Sequence, residues 1–86
     1  MDIKVQRIVR LENGKGPLKA FADIIIDDLI LIKGFRVVEG KHGLFVSVPQ
    51  EQGKDHRWFD SVSILTSDLQ KQISKVIVAA YQNEGC

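Results

Sequence analysis

The sequence has little of what most function classes require. Among 86 residues the single cysteine is Cys86, which leaves no internal disulfide framework and no paired Cys or Cys/His spacing for a metal. The two histidines, His42 and His56, lie in no nucleophile, base or metal-ligand pattern. No G-x-S-x-G elbow, Walker loop or dinucleotide fingerprint is present. Twelve Lys and Arg oppose eleven Asp and Glu, a formal charge of +1, so no overall field draws the chain to nucleic acid or to an anionic membrane. Any such surface must be a local patch. The most apolar stretch is interrupted by Asp27, Asp28 and Lys33, too soon to span a bilayer. Met1-Asp2-Ile3-Lys4 alternates charge with apolar residues, unlike a signal peptide. The expectation is a cytoplasmic protein that is not an enzyme, with no cofactor, no metal and no membrane contact.

What is present reads as one small domain over 1–86, of class α+β: an antiparallel β-meander of about five strands followed by one C-terminal amphipathic helix. Ile3, Val5, Val9 and Leu11 recur at even spacing, with Asp2, Lys4, Gln6 and Arg10 in the other phase, the pattern of a half-buried strand. Asn13-Gly14-Lys15-Gly16-Pro17 predicts a turn. Leu18, Ala20, Ala22, Ile24 and Ile26 then share a face, Asp27-Asp28 predicts a tight turn, and Leu29–Val38 a third strand. The two aspartates are adjacent, so they suit a turn better than a catalytic pair. Gly40-Lys41-His42-Gly43 should open a hairpin into Leu44–Val48, closed by Pro49. Its GxxG spacing is also that of the backbone clamp in KH domains, but that loop joins helices. Gln50 to His56 reads as a loop, and Trp58 to Val62 as a fifth short strand. The period then changes to about 3.6 residues: Leu69, Ile73, Val76, Ile77 and Ala80 make one stripe of a helix over about 68–81, with Gly85 beyond it. Ser67 and Gln70 have the spacing of a capping box, and Asp68 suits the helix dipole.

Two features point beyond the fold. The second phase of strands two and three is also apolar, with Phe21 and Ile25 on one and Ile30, Ile32 and Val38 on the other. One helix covers one face of a sheet, so either the strands curl to bury both sides or a second copy covers the other. Phe21, Ile25, Ile30 and Ile32 are the expected homodimer contacts. Secondly, Lys54, His56 and Arg57 stand beside Trp58, the combination that neutralises phosphates and stacks bases. Lys71 and Lys75, one turn apart on the exposed helix face, would extend the basic group into a strip. The plainer reading is a solvated loop anchored by its tryptophan and a solvated helix face.

Phe35-Arg36-Val37-Val38-Glu39-Gly40 followed by Gly43-Leu44-Phe45-Val46-Ser47-Val48-Pro49 is similar to the R-V-I-x-G-x-x-G-L-F-V-x-M-P signature of the stage V sporulation protein G (SpoVG), or septation-protein, family. Lys19-Ala20-Phe21-Ala22 with Ile24 and Asp27 resembles the second-strand pattern of that family, and the resemblance runs from about Ile3 to Tyr81. It implies a β-sheet with a C-terminal helix, a homodimer, and a cytoplasmic regulator of septation and sporulation that binds DNA and RNA. In the family that binding is attributed to an S-K-R-T loop after the proline and to the neighbouring helix. Here the matching positions read Gln50-Glu51-Gln52-Gly53, so that basic pair is absent and positive charge reappears only at Lys54, His56 and Arg57. Ser63-Ile64 likewise replaces the family's His-Pro before the helix. The alternative is a septation-pathway module that binds a protein partner and no nucleic acid.

Overall fold

A computed structural model of the chain describes residues 1–11 and 16–84. Six strands and one helix follow in chain order: β1 Ile3–Arg10, β2 Leu18–Ile26, β3 Ile30–Gly40, β4 Gly43–Ser47, β5 Gln50–Gln52, β6 Trp58–Asp60 and α1 Ser67–Glu84. Strands β1 to β4 form one antiparallel sheet in sequence order, and among the described residues β5 pairs only with β6. The α+β meander-and-helix expectation is met, but the expected loop over Gln50–His56 is half of a hairpin. Its strands are three residues each and mostly polar, so no alternation marks them. Of the expected turn at 13–17, residues 13–15 lie outside the described residues, as does Gly85.

The two other turns take the form their residues favour. Asp27 and Asp28 both adopt left-handed backbone, φ +52° and +57°, and the Leu29 N–H donates to the Ile26 carbonyl at 2.9 Å. That is primed-turn geometry, in which aspartate tolerates positive φ. The turn is also tied to β1: the Asp2 N–H donates to Asp27 Oδ1 at 2.7 Å, and the Asp27 N–H to the Asp2 carbonyl at 2.8 Å. Lys4 reaches Asp28 at 3.4 Å and Asp2 at 3.6 Å, and these carboxylates, Asp28 foremost, raise its pKa above the usual 10.5. All three groups are exposed, so the pairs contribute little to stability. Gly40 pairs with Gly43 across Lys41-His42, and Gly43 takes φ +115°. The GxxG segment is therefore a β-hairpin, as its setting between strands predicts.

Bulges decide which side chains enter the core. Register shifts between Val5 and Arg7, leaving Gln6 as an extra residue. Beyond it Ile8 pairs with Ala22 and packs on the core, whereas Val9 and Leu11 are exposed. The expected inward set on β1 therefore fails after Val5, because one inserted residue reverses the phase of all that follow. On β3, Lys33 and Gly34 together face Asp23; Gly34 takes φ +94° and its N–H donates to Asp23 Oδ1 at 3.2 Å. This bulge corrects the placement of Ile30 and Ile32. Ile32 pairs with fully buried Ile24 and packs on the core, and Ile30 pairs with Ile26, another core neighbour, although Ile30 itself is half exposed. Phe21 and Ile25 do alternate with the core residues Ala20, Ala22 and Ile24, so the second apolar face is real but differently composed: Val9, Phe21, Ile25, Leu31, Val38 and Phe45.

The core is Ile3, Ala20, Ala22, Ile24, Phe35 and Val37 of the sheet against Ile73 and Ile77 of α1. Phe35, fully buried and paired with Ala22, fills the space left by the small side chains of β2. The helical stripe runs as expected through Leu69, Ile73, Val76 and Ile77, but Tyr81 rather than Ala80 packs on the core at its end. Its cap lies one residue earlier than the capping-box reading. Thr66 Oγ1 accepts from the Leu69 N–H at 3.2 Å and the Thr66 carbonyl from Gln70 N–H at 3.2 Å, so Thr66 is the N-cap and Ser67 the first helical residue. At the other end the Arg10 guanidinium donates to the Tyr81 carbonyl and covers the Tyr81 ring. No helix among the described residues is long and apolar enough to cross a membrane.

Candidate nucleic-acid interface

The β5–β6 hairpin leaves the sheet at Pro49, whose carbonyl accepts both the Ser61 N–H at 2.9 Å and the Ser61 hydroxyl at 3.1 Å. These two bonds pinch the neck of the hairpin. Above it Gln50 pairs with Asp60, Glu51 with Phe59 and Gln52 with Trp58. The tip closes through Gly53 N–H to the Arg57 carbonyl at 2.9 Å and His56 N–H to the Gly53 carbonyl at 3.1 Å, with His56 at φ +65°. Asp55 Oδ1 accepts the Arg57 N–H at 3.2 Å, and its carboxylate lies 3.5 Å from Arg57 Nε. Five residues thus gather Lys54, His56 and Arg57 at one end of a two-stranded arm, all exposed. Asp55 offsets part of that charge, and among the described residues no hydrogen bond or ion pair engages the Lys54 ammonium.

Alternation along the hairpin places Trp58, Asp60, Gln50 and Gln52 on one side and Phe59 with Glu51 on the other. Trp58 is not a core anchor. It is 58% exposed, and its ring lies 5.5 Å from the guanidinium carbon of Arg36. Arg36 projects from the outer face of β3, beside its cross-strand partner Phe21, whose ring is 5.9 Å away. Its Nη1 donates to Gln50 Oε1 at 3.2 Å, and Gln50 Nε2 in turn donates to Asp60 Oδ1 at 2.9 Å. Arg36 Nε is buried with no hydrogen-bond partner. Arg36 is a site residue the sequence reading missed. The available signal was a cation within the apolar run of an inner strand, a position that demands partners.

Lys71 and Lys75 occupy α1, whose packing partners are β1 and β4, and both are exposed. A cleft of about 550 Å³ is shared by Gln70 of the helix and by Gln50 and Asp60 at the hairpin base. The first turn of α1 therefore borders the hairpin neck, while Lys54 and Arg57 stand roughly 10 Å further out at 3.3 Å per strand residue. Lys54, His56, Arg57 and Trp58 stay together at one end of the arm because they are near neighbours in the chain. Among the described residues no hydrogen bond or ion pair joins Lys71 or Lys75 to them.

The chain matches the SpoVG family over residues 1–83. It is 32% identical over 85 residues to "Putative septation protein SpoVG 2" of Listeria monocytogenes, covering 99% of this chain and 82% of that protein. It is 34% identical over 72 residues to the protein of Archaeoglobus fulgidus named "Putative septation protein SpoVG", with 84% and 85% covered. The likeness to the corresponding Symbiobacterium thermophilum protein is 30% over 80 residues, 93% of this chain and 54% of that one. With nearly its whole length matched, and the glycine hairpin and C-terminal helix of the signature in place, the chain belongs to the SpoVG family.

Proposed function

We propose that this chain is a homodimeric cytoplasmic regulator, linked to septation and sporulation, that binds DNA and RNA through the tip of the β5–β6 hairpin. The observation that carries the reading is the gathering of Lys54, His56 and Arg57 with exposed Trp58 on an arm that, among the described residues, pairs with no other strand. In a chain of net charge +1, such an arm concentrates positive potential where a phosphate backbone can reach it. Lys71 and Lys75, beyond the cleft, supply a second basic pair for a longer ligand. The septation link is supported by the names of the relatives, and the dimer by the outer apolar face of the sheet. No catalytic step, cofactor or metal enters this reading.

Fluorescence anisotropy against pooled genomic fragments and their transcripts, at about 50 and 200 mM salt, tests it. The expected result is binding that weakens steeply between the two concentrations, since released counterions drive phosphate contacts. Leu65, 93% exposed beside the apolar groove formed by Ile26, Ile32, Leu69 and Ile73, favours the second reading, a septation-pathway protein-interaction module. Absence of nucleic-acid binding at the lower salt concentration selects that reading.

A further inference from the structure

We infer that the Arg36–Trp58 stack is a base-stacking platform and that the ligand of the hairpin is single-stranded nucleic acid, bound with its backbone along Lys54 and Arg57 and an unpaired base on the Trp58 indole. The inference rests on the proposal that the hairpin is the nucleic-acid interface, and it specifies the strandedness of the ligand and the residue that reads it.

Three observations converge on it. Trp58 holds a large apolar ring in water: it is 58% exposed and belongs neither to the core nor to the side chains packed on it. Leaving so much aromatic surface uncovered costs free energy that folding alone does not require. The ring also has an ordered cationic neighbour. The Arg36 guanidinium carbon lies over it, 5.5 Å from the ring centre; it donates to Gln50, which in turn donates to Asp60, and it lies 5.9 Å from the Phe21 ring. A guanidinium with a buried, unpartnered Nε is poorly hydrated, the condition under which attraction to an aromatic face is strongest. With Arg36 against one face, the exposure of Trp58 falls on its edge and its other face.

The third observation is the company this ring keeps. Phe45, half exposed, lies on the same outer face of the sheet, and the basic tip begins one residue before Trp58. Exposed cations next to an exposed aromatic along the chain match a strand whose bases are splayed out. A duplex hides its base faces within its own stack and presents edges and phosphates, to which an indole face offers nothing. A single strand, of DNA or RNA, uses both parts of the site.

Trp58 is the sole tryptophan, so its emission reports the contact directly. Full-length protein is titrated with unlabelled single strands of about twelve nucleotides, within the usual site size, and with the same sequence as a duplex, while anisotropy of labelled strands is followed in parallel. Emission should be quenched in step with anisotropy, and the single strand should bind about tenfold or more tighter than the duplex. Loss of one stacked base corresponds to roughly 5- to 150-fold in affinity, so Trp58→Ala should weaken single-strand binding within that range. Trp58→Phe should retain most of it, and neither variant should alter the salt slope set by Lys54 and Arg57. Binding by anisotropy with unchanged Trp58 emission, or equal affinity for duplex, would overturn the platform and leave the basic hairpin standing. No binding of either form would remove both. Emission that shifts with protein concentration alone would place Trp58 between two copies of the chain and overturn the platform as well.

Discussion

The Arg10 guanidinium lies 4.2 Å from the centre of the Tyr81 ring and donates a hydrogen bond to the Tyr81 carbonyl, joining the end of β1 to the last turn of α1. One side chain thus covers an aromatic face and satisfies a carbonyl that the helix itself leaves without a partner. It also places a cation where the helix dipole favours one. Arg10→Ala should lower stability by about 1–2 kcal/mol, combining the cation–aromatic and dipole contributions. For a chain of this size that is a fall in Tm of roughly 4–16 °C, measurable by circular dichroism. In a double-mutant cycle with Tyr81→Leu the two effects should not add, because the ring and the guanidinium act as one contact.

The two glycines of the β3–β4 hairpin should respond differently to the same substitution. At Gly43, φ +115° is a conformation that side-chain-bearing residues avoid, and Gly43→Ala should cost about 1–2 kcal/mol. Gly40 has no such backbone demand. A β-carbon there would lie 3.0 Å from Phe45 Cε1 and 3.3 Å from Cδ1, and the half-exposed ring can swing aside. Gly40→Ala should therefore cost less than about 1 kcal/mol, in keeping with small steric adjustments. Equal losses in urea denaturation would contradict this assignment.

The placement of Ile32 and Phe45 on opposite faces of the sheet gives a test of the dimer. Ile32 packs on the core, so Ile32→Lys should unfold the chain by burying an unpaired charge, and an unfolded variant says nothing about association. Phe45 stands on the outer face, and Phe45→Lys should leave the far-ultraviolet circular dichroism intact. Sedimentation equilibrium should then give about twice the 9.7 kDa chain mass for the wild type and the chain mass for Phe45→Lys. A wild type that sediments as a monomer at micromolar concentration would remove the dimer.

How far the sequence could be read depended on whether the signal was local. Ala20, Ala22 and Ile24 alternate without interruption and were assignable to the core by period alone. Gln6 and Gly34 broke that logic, since one extra residue inverts every later side chain and Gln6 carries no mark of a bulge. Gly34 did carry one, a glycine inside a strand pattern. The cap slipped from Ser67 to Thr66 because two hydroxyl residues stand side by side and either can serve. At the candidate site, Lys54, His56, Arg57 and Trp58 were legible because they are consecutive neighbours. Arg36 and Phe21 were not, because only the folding back of the hairpin brings Trp58 over strands that precede it by more than 20 residues.

The most direct test of nucleic-acid binding by the hairpin is the salt dependence of a folded Lys54→Ala, Arg57→Ala double variant. Both side chains are exposed at the tip, and neither packs on the core, so circular dichroism should match the wild type. Each phosphate contact contributes about 0.7 to 0.9 to the slope of log affinity against log salt, so removing two should flatten the slope by roughly 1.5. Against the same oligonucleotide, a slope reduced by that amount together with weaker binding at low salt is the predicted result. A folded double variant whose affinity and slope both equal those of the wild type would show that the hairpin tip is not where the phosphates bind.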